Sequence, residues 1–141
     1  MEWFITPETV TLPLADGRTL TVKKRLSAGD QFDAFERMYW RLADGTYAAR
    51  ADGSLIVSPA AMRLSTVISY LVDWTLTGPD GRPVAIAGVS PSDLTAILRN
   101  LEAARFAEIY AAIDGHDRAM ARERAAQKKM PDGAPVLSTI S

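Results

Sequence analysis

The chain has 141 residues, 16 Lys and Arg against 17 Asp and Glu, and no cysteine. That length suits one domain with its own core. The near-neutral charge supplies no field for nucleic acid or an anionic membrane, and the missing cysteines exclude disulfides, thiol catalysis and Cys-type zinc sites.

No apolar run reaches the roughly 18 residues of a membrane span, and the first residues, MEWFITPETV, lack the basic and apolar regions of a signal peptide. A cytoplasmic protein is expected. Asp-Gly pairs at 16-17, 44-45, 52-53, 80-81, 114-115 and 132-133 read as turn chemistry. Val10, Leu12 and Leu14 alternate and are answered by Leu20 and Val22; pairing 12 with 20 centres a hairpin over 9–24 on Asp16. Ser27 with Asp30 is a capping signal, and Phe32, Phe35, Tyr39 and Leu42 follow on one face, which predicts a first helix to about Ala43. Around Asp52 a weaker hairpin brings Tyr47 opposite Val57 and Ala49 opposite Leu55. Ser58-Pro59 opens a second helix whose stripe is Leu64, Val67, Ile68 and Leu71.

In VDWTLTGPDGRPVAI, residues 72–86, Trp74 and Leu76 share a face with Val84 and Ile86 only around a three-residue loop, Pro79-Asp80-Gly81, with Gly81 left-handed. A two-residue loop would turn one apolar set to solvent. Trp74 then reads as core. Ser90-Pro91-Ser92-Asp93 caps a third helix carrying Leu94, Ile97, Leu98 and Leu101. The stripe changes phase at Phe106, Ile109, Tyr110 and Ile113, so a kink or break is expected between Glu102 and Arg105. Beyond Asp114-Gly115 the segment HDRAMARERAAQKK keeps helix formers but loses its apolar face, Met120 standing nearly alone, and PDGAPVLSTIS reads as a flexible tail. The expected fold class is α+β. An N-terminal hairpin precedes a mainly helical part (27–129) with a second small hairpin, all in one domain over 1–129, and 130–141 is tail.

Chemistry-bearing motifs are missing. His116 is the sole histidine; flanked by Asp114 and Asp117, it lacks a second ligand or a nucleophile at sensible spacing and reads as a solvated helix-end residue. The Asp-Gly pairs lack the alternating ligands and closing Glu of a calcium loop, and no phosphate loop, dinucleotide fingerprint or nucleophile elbow occurs. No enzymatic activity, cofactor or metal is expected. Arg118, Arg122, Arg124, Lys128 and Lys129 read as a solvated helix face rather than a phosphate track, because Asp117 and Glu123 interrupt them and no aromatic interleaves. Trp3 and Trp40 lie off every stripe, where an exposed Trp marks a contact surface.

The order of elements resembles the tail assembly chaperones of long-tailed bacteriophages. The residues that carry the likeness are Val72, Asp73, Trp74, Leu76, Asp80, Gly81, Pro83 and Val84, then the capped helix SPSDLTAILRNL, then Phe106, Glu108, Ile109, Ala112 and Ile113. The likeness spans about 60–116 and is looser before that. It implies a non-enzymatic assembly factor of the host cytoplasm, absent from the mature virion. Such a factor binds the tape-measure protein, keeps it soluble during tail-tube assembly, and contacts tail tube protein through a longer frameshifted product. The expected partner-binding residues are Phe106, Ile109, Tyr110, Ile113 and Met120, although the first four equally suit plain core. A structural virion protein, such as a neck or tail-completion subunit, is the alternative reading, and a small nucleic-acid-binding regulator a third.

Overall fold

Alternation at period two builds the sheet. In this computed structural model, which describes residues 3–129, β1 (Thr9–Pro13) pairs antiparallel with β2 (Thr19–Lys23), Leu12 opposite Leu20 and Val10 opposite Val22. The expected register is the observed one. Leu20 and Val22 are wholly buried, while Thr9 and Thr11 stay on the outer face. The loop over Ala15–Gly17 puts Asp16 itself at φ +61, a conformation Asp tolerates better than most side chains. The expected C-terminal tail, 130–141, lies outside the described residues.

A third strand, β3 (Leu71–Trp74), joins the far side of β2, so the order is β1-β2-β3. The second small hairpin expected at Trp74–Ile86 thus extends the same sheet. Its inner register holds: Thr77 bridges Pro83, Val84 N donates to Leu76 O at 3.1 Å, and Gly81 closes the Pro79-Asp80-Gly81 loop at φ +78. Thr21 faces Asp73 but Val22 faces Leu71, leaving Val72 as a bulged residue. The bulge reconciles parity. Leu71 and Trp74, three apart, would face opposite ways in a regular strand, and with Val72 bulged both are buried. Trp74 Nε1 donates to Val84 O at 2.7 Å, so the indole joins the two arms of the loop as well as filling the core.

Three helices begin on serine caps. α1 (Ala28–Met38) starts on the complete Ser27–Asp30 capping box, α2 (Pro59–Tyr70) on Ser58 with proline at its first position, and α3 (Pro91–Leu98) on Ser90. α4 (Ala103–Lys129) follows a break at 99–102, slightly ahead of the expected 102–105, then runs through Asp114-Gly115 without a turn, unlike the four earlier Asp-Gly pairs. In the middle of a helix formed by strong helix formers, one Gly costs only about 1 kcal/mol and the helix continues. Val67, Ile68, Leu94, Leu98, Ile109 and Ile113 join Leu20, Val22, Leu71 and Trp74 in one core, so α2, α3 and α4 cover the apolar face of the sheet.

The first helix departs from expectation. It ends at Met38, not near Ala43, and the stripe of Phe32, Phe35 and Leu42 is exposed. The buried face is set by Ala34 instead, where Ser65 Oγ donates to Ala34 O at 2.9 Å; small side chains on both helices let the backbones approach, and that contact outweighs the aromatic stripe. Met38 O accepts from Ser58 N, so α1 and α2 run antiparallel.

His116 is likewise corrected. It is buried in α4, with Nε2 at 3.1 and 3.0 Å from Lys23 O and Lys24 O and its ring edge-on to Tyr70. Two carbonyls require a donor, so Nε2 carries the hydrogen. The Tyr70 hydroxyl donates to Asp117, the next residue along α4, and burial, then that carboxylate, push the phenol far above its ordinary 10.0. Polar contacts therefore anchor the middle of α4 where the apolar face runs out.

Candidate partner-binding surface

Large apolar side chains exposed to solvent fall in two stretches of the described residues, 3–5 and 32–62. In the second stretch Phe32 is 68% exposed, Phe35 57% and Trp40 55%, with Leu42, Leu55, Val57 and Met62 beside them in sequence. Phe32 and Phe35, at i and i+3, share the outer face of α1, opposite Ala34. Antiparallel packing sets Met62 of α2 level with Phe35, since Ala34 meets Ser65 and Met38 meets Ser58.

The segment between the helices is a small repeat that the sequence reading missed. WRLADGTY (40–47) and AARADGSL (48–55) share a period of eight with Ala-Asp-Gly in common, and their strands close into a ring of backbone bonds. Trp40 N donates to Ile56 O, Ile56 N to Ala48 O, and Ala48 N to Trp40 O, at 2.8, 3.0 and 2.8 Å. Ala49 pairs with Leu55 as expected; Tyr47 faces Arg41 rather than Val57, because residues 39–41 form a third arm that takes Val57 opposite Tyr39. Each turn repeats the same chemistry: Asp44 Oδ1 accepts from Thr46 Oγ1 and N at 2.6 and 2.9 Å, and Asp52 does so from Ser54. The hydroxyl first, then the amide, hold both carboxyls below the ordinary aspartate value. Arg41 stacks on Tyr47 and donates to its hydroxyl, so the arms are rigidly tied while Trp40 and Leu42 stay in water.

Between α1, α2 and α3 lies a groove of about 600 Å³ lined by Asp33, Glu36, Trp40, Leu64, Ile68 and Pro91, among others. Arg37 enters it, with Nη2 donating to Ser69 Oγ at 2.9 Å. Its Nε is buried with no acceptor, the sole such side-chain atom among the described residues.

No protein-family model, curated protein or solved structure matches this chain. Among the described residues no group of three or more His, Asp and Glu could hold a metal, and no helix is long and apolar enough to cross a membrane.

The residues singled out on α4 part company. Ile109 and Ile113 are 1% and 0% exposed and belong to the core, so neither can meet a partner in this fold. Phe106 and Tyr110 pack half-buried against that core, Tyr110 beneath the Arg63 guanidinium, and Met120 is half-buried. The helical stripe there reports core, as its regular spacing permits. Of the two tryptophans off the stripes, Trp40 and Trp3 are both exposed.

Proposed function

We propose that this chain is a tail assembly chaperone of the long-tailed bacteriophage type, which binds an apolar helical segment of the tape-measure protein and keeps it soluble while the tail tube polymerises. The resemblance over residues 60–116 supports the class, and one observation of the fold carries the activity: the exposed apolar side chains between Phe32 and Met62. Exposed aromatic surface of this kind marks protein interaction. The binding surface is accordingly the outer face of α1 with the eight-residue repeat and the adjoining groove, in place of the α4 residues. Phe106, Tyr110 and Met120 keep at most a flanking role. An amphipathic helix laid along this surface would cover Phe32, Phe35 and Trp40. A cytoplasmic factor lost from the finished particle follows from this reading.

Co-expression with the cognate tape-measure protein tests the proposal. The expected result is a soluble complex eluting as one peak in size-exclusion chromatography. If the tape-measure protein stays insoluble and this chain elutes alone, the proposal falls.

A further inference from the structure

The open edge of the sheet and the segment that leads into it call for the same occupant. β1 is an edge strand whose even-numbered residues bond to β2, as Leu14 N to Arg18 O at 2.8 Å and Lys24 N to Glu8 O at 2.9 Å require. The N–H and C=O groups of Thr9 and Thr11 therefore point away from the sheet, and both residues are exposed. Residues 3–8 precede this strand as an arm. Trp3 and Phe4 are each 88% exposed, and the stretch from Trp3 to Pro7 carries no charge.

At the other end of β1 lies a groove of about 590 Å³ lined by Leu14, Trp74, Leu76, Val84, Ile97 and Leu101, among others. Four of the five charged residues at this groove are committed locally, Glu102 standing exposed beside them: Arg105 lies between Glu108 and Asp16 at 3.2 and 4.0 Å, Glu108 accepts from Ala15 N, and Arg18 donates to Thr75 O. Such a lining suits an uncharged apolar occupant, and the arm is one. Within one molecule the arm would have to reverse and run back along β1, roughly 17 Å, across the edge it leaves.

We propose that the chain forms a two-fold dimer in which β1 pairs antiparallel with β1 of a second copy, centred on Thr11, and each arm fills the groove of the other copy. Thr11 then faces its own symmetry mate and Thr9 faces Pro13, whose missing N–H removes one bond from that pair while its carbonyl still accepts. The same register continues Glu8 opposite Leu14 and Thr6 opposite Asp16, which carries Ile5, Phe4 and Trp3 straight onward to the groove. Each buried aromatic removes about 150–250 Å² from water. Two reciprocal arms with the strand pair thus reach roughly the 1,200–2,000 Å² of a stable interface, whereas a single arm covers about half. That arithmetic favours the closed dimer over an open head-to-tail chain.

Sedimentation equilibrium of the full chain over a concentration series reads the outcome. The expected species is a dimer, twice the 15.3 kDa chain. Trp3→Ala/Phe4→Ala, and separately Thr11→Pro, should each weaken it by about tenfold or more with the circular dichroism spectrum unchanged. Thr11→Cys gives the chain a single cysteine, which should oxidise to a disulfide-linked dimer, because hydrogen-bonded pairs across a two-fold lie about 5.5 Å apart at Cα. A chain monomeric up to the hundred-micromolar range overturns the proposal, and so does a dimer that keeps its affinity in the arm variant, which leaves every strand intact.

Discussion

Trp74 shows how one side chain can serve two layers at once. Its ring fills the core and its Nε1 holds Val84 O at 2.7 Å, so Trp74→Phe should keep the fold yet lose about 1–3 kcal/mol, because the Val84 carbonyl is left without its donor. Urea denaturation at neutral pH measures it. Glu108 makes a long-range tie, accepting from Ala15 N at 2.6 Å and so pinning the first loop to α4. That amide, against a smaller opposing effect of desolvation and with help from Arg105, holds the carboxyl below its ordinary 4.5. A lowered folded-state value means the contribution is full above the ordinary carboxylate value and is lost as pH falls through the folded one. The Tm difference between the native chain and Glu108→Gln should therefore be present at pH 7 and shrink progressively below about pH 4.5; a constant difference would show that the charge on Glu108 plays no part.

Small residues decide the packing at the scale of elements. α1 and α2 meet at Ala34 and Ser65, and that close approach is why the larger side chains of α1 face solvent. Ala34→Leu should force the helices apart and cost about 1–3 kcal/mol, read as a fall in Tm. An unchanged Tm would mean that the contact has room to spare. The bulge at Val72 acts similarly on the sheet: one extra residue brings both Leu71 and Trp74 inward. Both devices lie outside what periodicity reveals, since a 3.6-residue stripe of aromatics predicts the opposite face of α1 and strict alternation predicts the wrong side for Leu71.

Core and exposed apolar surface separate over the whole molecule. The core is built from the sheet, α2, α3 and α4, while the exposed large apolar side chains of the described residues lie in 3–5 and 32–62. Phe32→Ser/Phe35→Ser should accordingly change stability by no more than about 0.5 kcal/mol, as surface substitutions do, and yet abolish the soluble complex proposed with the tape-measure protein. Ile113→Ala should do the reverse, costing about 2–5 kcal/mol while leaving the binding surface in place in whatever fraction stays folded. Denaturation curves and co-expression of the two variants together test the division. Binding lost with Ile113→Ala in a fully folded sample and kept in the Phe32/Phe35 variant would return the partner site to α4.

Local chemistry was legible in the chain itself. The two alternating strands, the serine caps at 27, 58 and 90, the loop at Gly81 and the break before Ala103 each depend on residues within about ten positions of one another, so spacing and turn chemistry suffice. Placement of faces did not yield in the same way. Whether Phe32 or Ala34 looks inward depends on what α2 presents across the contact, and whether His116 is solvated depends on carbonyls 93 and 92 residues away. Those are long-range contacts, which no periodicity encodes. An apolar stripe says that a helix has a side to cover; only the packed chain decides whether the core covers it, as with Ile109 and Ile113, or leaves it open, as with Phe32 and Phe35.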